Sequence, residues 1–184
     1  MPNENFTVDT IKTVLPQLSK LASRVKKIPN GKETKLEISE AIEVCFINAS
    51  DLINTTKDYK DIIKLTGKWH LQIKNNEVHS HFARISYDKE KAKWQINSFF
   101  ESAIPALINS GLNWISKNIK GDVTLKLLEI PTYFLTALIL ENIEGVRVLV
   151  VHKPESLAIE SFKLYTFNDF RGFFQSIKPI QGVK

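Results

Sequence analysis

Three of the four histidines, His70, His79 and His81, lie close together in the chain. Three imidazole nitrogens can hold a Zn²⁺ ion and leave a fourth position open for water. Such a centre turns bound water into a nucleophile for hydrolysis. The chemistry requires all three side chains on one face of one element. Trp69–Lys74 alternates apolar and polar residues and reads as a strand. Asn75-Asn76 suits a two-residue turn with positive φ, and Glu77–Tyr87 then returns antiparallel. That turn sets Lys74 opposite Glu77, Gln72 opposite His79 and His70 opposite His81, so the three histidines share a face. No acidic residue stands beside them except Glu77, near the turn. The same pattern also reads as the solvated polar end of a hairpin, and that reading is preferred.

The ribbon continues through a second turn at Asp88–Lys91 into Ala92–Phe99. Its expected register places Ile85 opposite Trp94, Ala83 opposite Ile96 and His81 opposite Ser98. Following the faces exposes a conflict. Trp69, Leu71 and Ile73 are apolar on one face, whereas Ala83, Ile85, Tyr87, Trp94 and Ile96 are apolar on the other. Either different elements cover the two ends, or a bulge near His81–Ala83 flips the parity.

Other reactive residue types stand alone. Cys45 falls on an apolar stripe without a histidine near it in sequence, and reads as an inert core thiol. His152, at the end of an apolar run, is expected as a buried, hydrogen-bonded imidazole. Arg24, Lys26, Lys27, Lys32 and Lys35 form the densest basic patch and could contact phosphates. Lysines at the negative end of a helix are the simpler reading, and no aromatic residues interleave them for base stacking. Gly31-Lys32-Glu33-Thr34 lacks the upstream glycine of a phosphate loop. The pairs Asp58/Asp61 and Glu37/Glu40 read as surface acids. Nucleophile-elbow, zinc-protease, dinucleotide-loop, paired-cysteine and calcium-loop motifs are all missing from the sequence.

The elements that must position these residues are organised around Asp122–His152. Val123–Ile130, Tyr133–Leu140 and Val146–Val151 are three apolar, strand-length runs separated by Pro131 and by Asn142 with Glu144-Gly145. Their continuity predicts strands covered on both faces. Residues 7–28 carry a helical stripe interrupted by Pro16, with Asp9 as cap, and the simplest role is packing on the chain's own domain. Residues 39–65 read as a helix capped by Ser39, residues 101–119 as an amphipathic helix, and 157–165 as loop or edge strand. Thr166 and Asp169 predict a cap for a last helix whose Phe167, Phe170, Phe173, Phe174 and Ile177 belong to the core. The expected fold is α+β, a mixed or antiparallel sheet of about six strands in two three-stranded units with helices packed against it. The expected order is α-α-β-β-β-α-β-β-β-α.

The 184 residues suit a single domain spanning 1–184, with 1–30 a peripheral helix. One cysteine rules out an internal disulfide, and the net charge of +5 is ordinary for a soluble chain. The first residues lack a signal-peptide pattern, and no apolar stretch is long enough to span a bilayer, so the expected location is cytoplasmic. The leading expectation for function is a binding or protein-interaction module, without a catalytic residue or cofactor, working through a protein partner or self-association. A small-molecule ligand remains open and nucleic acid is not expected. The alternative is a small zinc-type hydrolase using His70, His79 and His81, and a nucleic-acid-binding domain ranks below it.

Overall fold

The computed structural model describes residues 6–25, 36–53, 56–75 and 78–175, with side chains left undescribed at 8, 22–25, 75 and 78–80. In chain order the elements are α1 (Val8–Val25), β1 (Leu36–Phe46), α2 (Ala49–Ile53), α3 (Tyr59–Ile62), β2 (Lys64–Asn75), β3 (Val78–Asp88) and β4 (Lys93–Glu101). They continue with α4 (Ile104–Asn118), β5 (Thr124–Ile130), a 3-10 turn (Pro131–Tyr133), β6 (Leu135–Asn142), β7 (Gly145–His152), β8 (Leu164–Thr166) and α5 (Phe167–Gln175). The class is α+β. The strands of the mixed sheet number eight rather than six, and hydrogen-bond in the order β4-β3-β2-β1-β5-β6-β7-β8.

Two corrections account for the difference. The helix expected over 39–65 is instead β1 followed by the short α2 and α3. Ala41, Ile42, Cys45 and Phe46 fit a helical stripe, but the β-branched Ile38, Ile42 and Val44 favour a strand, and a short apolar run satisfies both periods. Ser39, expected as a helix cap, lies in β1 and donates its hydroxyl to the Gln72 carbonyl at 3.4 Å. The second correction is β8, the edge strand in the segment that sequence left open.

The chain divides into two compact units, Met1–Ile42 with Gly67–Ala106, and Glu43–Thr66 with Leu107–Lys184. In the first, α1 packs its Val14 and Leu18 on Leu71, Ile73, Ala83, Ile85 and Trp94. Thr7, rather than Asp9, caps α1. Its hydroxyl accepts from the Thr10 amide at 3.4 Å, and Asp9 sits in the first turn, paired with Lys12 at 3.0 Å. Pro16 is exposed inside an unbroken helix.

In the second unit β5, β6 and β7 are the three expected core strands, and β1 adds alongside β5 in parallel. One sheet face carries Cys45, Leu128, Ala137, Ile139, Val148 and Val150 into a core shared with Leu52, Ile62, Phe167, Phe170 and Phe174. Phe170 and Phe174 are fully buried, each contributing about 1.5–3 kcal/mol of apolar burial. Thr166 caps α5 as expected, its hydroxyl accepting from the Asp169 amide at 3.1 Å. Ile177 lies outside the described residues. The opposite face receives α4 at Gly111, where an added Cβ would stand 2.6 Å from Val151 Cγ1. That approach needs the absence of a side chain.

Candidate functional site

The histidine face depends on register, and the register differs from the expected one. Ile73 pairs with His81 and Lys74 with His79, so Ser80 is an extra residue in a bulge. Beyond it His70 pairs with Arg84, Leu71 with Ala83, and Gln72 with Phe82. A second bulge lies between Arg84 and Ile85, where Ile85 pairs with Ile96 and Tyr87 with Trp94. Ala83 faces Phe99 and His81 faces Glu101. A one-residue shift exchanges the faces of a strand. The shift gathers Leu71, Ile73, Ala83 and Ile85 on the α1 side, which resolves the conflict of faces through a bulge. By the same step His81 joins that side, whereas His70 points to the other.

The three histidines are therefore not brought together as expected. His70 is fully buried, its ring stacked on Phe82 at 5.0 Å. His81 is also buried, stacks on Phe99 at 5.4 Å, and stands 3.8 Å from the Glu101 carboxylate. The His79 side chain lies outside the description. Among the described residues no group of three His, Cys, Asp or Glu side chains is placed to hold a metal. Burial, aided by the Arg84 charge, pushes the His70 imidazole down to about 3. Neither of its ring nitrogens, nor the amide nitrogen and oxygen of buried Gln72, finds a hydrogen-bond partner among the described residues.

The other sequence candidates separate as well. Lys26, Lys27, Lys32 and Lys35 lie outside the described residues, and of Arg24 only the backbone, in α1, is described. Cys45 is buried, on β1 rather than on a helix, and its thiol lies 3.5 Å from the Leu127 carbonyl. Burial pushes the thiol up to about 12, so it stays protonated and unreactive. His152 ends β7 half-buried, where a buried imidazole was expected.

A polar cluster that the sequence reading passed over stands at one end of the Cys45 face. β1 and β5 set Glu43 beside Lys126. β5 and β6 set Thr124 opposite Glu141, which makes Lys126 and Glu141 diagonal neighbours. Lys126 Nζ donates to both carboxylate oxygens of Glu141 at 2.6 Å. Tyr59, the first residue of α3, donates its hydroxyl to Glu141 Oε1, and its ring meets Phe167 edge-on at 4.8 Å. The side chains of Lys126 and Glu141 keep only 16% and 25% of their exposure. Burial pushes the Glu141 carboxyl up, but hydrogen bonds from Lys126 and Tyr59 outweigh it and hold it below the usual carboxylate range. Burial and the Glu141 hydrogen bond push the Tyr59 hydroxyl far above its ordinary value. At neutral pH the cluster is thus a carboxylate held by a neutral phenol and an ammonium.

This cluster forms the floor of a cleft of about 530 Å³ lined also by Lys60, Ile63, Leu65, Ile143 and Val146. Leu65 is 55% exposed, and Ile143, at the tip of the β6–β7 turn, is fully exposed. A larger, shallower groove of about 710 Å³ runs beside β8 and α5. Its charged groups are engaged: Lys163 pairs with Glu160 at 2.6 Å, and Asp169 belongs to the α5 cap. Charged residues set within or directly against the apolar runs were the signal for the cleft. Lys126 interrupts Val123–Ile130, and Glu141 follows Tyr133–Leu140 directly.

The chain matches no family model, no curated protein and no solved structure. Among the described residues no helix is long and apolar enough to cross a membrane.

Proposed function

We propose that this protein is a binding module that docks a protein partner in the cleft above Lys126, Glu141 and Tyr59. The observation that carries the reading is the rim. Two large aliphatic side chains, Leu65 and Ile143, stand in water beside a concave surface. Isolated exposed apolar residues are ordinary, but two that flank one cleft form a surface that gains from being covered. The floor supports binding rather than proton transfer. A general acid–base pair works with groups that titrate near the operating pH, whereas Glu141 is held down and Tyr59 is held up. A floor already hydrogen-bonded also needs no rearrangement when a partner arrives, which limits the cost of association.

The test compares two surface variants against a partner recovered with the wild-type protein and then purified. Leu65→Ser combined with Ile143→Ser should weaken its affinity at least tenfold. Phe134→Ser serves as control, because Phe134 is 57% exposed in the β5–β6 connection but does not line the cleft. Equal affinity for both variants and wild type would sink the reading.

A further inference from the structure

Resting on that docking reading, we infer that the partner offers the cleft a large aliphatic side chain next to a carboxylate. Three charged side chains line the cleft: Lys60, Lys126 and Glu141. Lys126 and Glu141 neutralise each other in a two-pronged contact, and the remaining demand on Glu141 is met by Tyr59. No lining carboxylate is left for a cationic partner. Lys60 differs. It is exposed, and it makes no hydrogen bond or ion pair among the described residues, though Glu141 feels its charge. The nearest acid at the turn tip, Glu144, is tied to Arg147 at 2.9 Å. Among the side chains that line the cleft, the charge left without an ion-pair partner is therefore positive. It stands on the same cleft as the aliphatic surface of Ile63, Leu65, Ile143 and Val146.

Complementary charge at the rim of an apolar contact selects among partners and suppresses wrong ones. An aliphatic residue of the partner covers Leu65 and Ile143, and the acidic neighbour reaches the Lys60 ammonium. A basic neighbour would instead meet like charge. The same chain thereby separates acidic-aliphatic segments from basic-aliphatic ones without any change in the apolar contact.

The experiment uses three hexapeptides with blocked ends, Gly-Gly-Leu-Glu-Gly-Gly and its Glu-to-Lys and Leu-to-Ala versions, titrated into the ¹⁵N-labelled full chain. The Leu-Glu peptide should move the amide signals of Lys60, Ile143 and Val146 saturably. The other two peptides should bind at least fivefold more weakly. Lys60→Glu should reverse the preference between the acidic and basic peptides, and Lys60→Arg should keep it. Equal binding of acidic and basic peptides, or a preference untouched by Lys60→Glu, overturns the acidic partner while leaving the cleft as a docking site. Peptide-induced shifts that avoid the cleft altogether, with Ile143→Ser lacking effect on partner affinity, overturn both.

Discussion

Each unit encloses a polar cluster, Lys126 with Glu141 and Tyr59 in one and His70 with Gln72 in the other, and the two clusters are treated in opposite ways. In the second unit Lys126, Glu141 and Tyr59 are half-buried and bonded to one another. In the first, His70 and Gln72 are completely buried, two residues apart on one face of β2, and four of their side-chain polar atoms have no partner among the described residues. A buried polar group costs free energy unless it is hydrogen-bonded. At this cluster the second unit has met that cost with its own groups and keeps the result beside water, where a partner can reach it, although its buried Tyr133 hydroxyl has no partner among the described residues. The first carries the cost in its interior, where nothing exposed gains from it. Burial and polarity together thus do not mark a site; satisfaction and access separate the two regions.

Removing one partner from the bonded cluster is the strongest way to break this contrast. Glu141→Ala strands the Lys126 ammonium and the Tyr59 hydroxyl in a half-buried position and should destabilise the fold by about 2–3 kcal/mol. Replacing both charges together, Lys126→Met with Glu141→Leu, should recover most of that loss, because no uncompensated charge remains. Denaturant unfolding of the three proteins measures both values. If the double variant were as unstable as the single one, the cluster would owe its stability to packing and not to pairing.

Acid should reveal the first unit before the second. The folded-state His70 pKa is depressed to about 3, whereas an unfolded histidine titrates near 6.5. Between those values the unfolded chain binds the extra proton, so stability is present above about pH 6.5 and is lost as pH falls. The slope approaches about 1.4 kcal/mol per pH unit, which amounts to roughly 2 kcal/mol between pH 7 and pH 5. Glu141, also depressed, contributes stability that is lost only below the ordinary carboxylate pKa, near pH 4. Unfolding free energies from pH 7 to pH 5 should therefore fall in the wild type and stay nearly flat in His70→Leu. A wild-type curve flat over that window would show that His70 has a partner in solution.

How much of this was legible depends on how local the signal is. The core strands β5, β6 and β7 were readable because continuous apolar runs bounded by turn residues have few alternatives, and the α5 cap because Thr166 and Asp169 are neighbours in sequence. β1 was misread because its apolar residues fit a helical period as well as a sheet, and only its place beside β5 decides between them. The histidine face failed for a smaller reason, one extra residue at Ser80. Its trace was present as the mismatch of apolar faces between Trp69–Ile73 and Ala83–Ile96, and a bulge was one of the two explanations that mismatch allowed. The Glu141 cleft was missed because Tyr59 is far from Lys126 and Glu141 in the chain: strand pairing joins the two charges, and α3 brings the phenol to them.

The mildest test separates cost from role in the first unit. Gln72 is fully buried, and neither its amide nitrogen nor its amide oxygen is hydrogen-bonded among the described residues. Leucine fills a similar volume and brings no polar atom to satisfy, so Gln72→Leu should raise stability by about 1 kcal/mol. At this chain length that corresponds to a rise in Tm of about 2–4 °C. The sign carries the comparison. Glu141→Ala should lower stability because it breaks a completed network, whereas Gln72→Leu should raise it because it removes an incomplete one. A loss of stability in Gln72→Leu, measured by the same denaturant titration, would mean that the amide is satisfied in solution. The two clusters would then both be satisfied, and His70 with Gln72 would become a second place to look for a bound group.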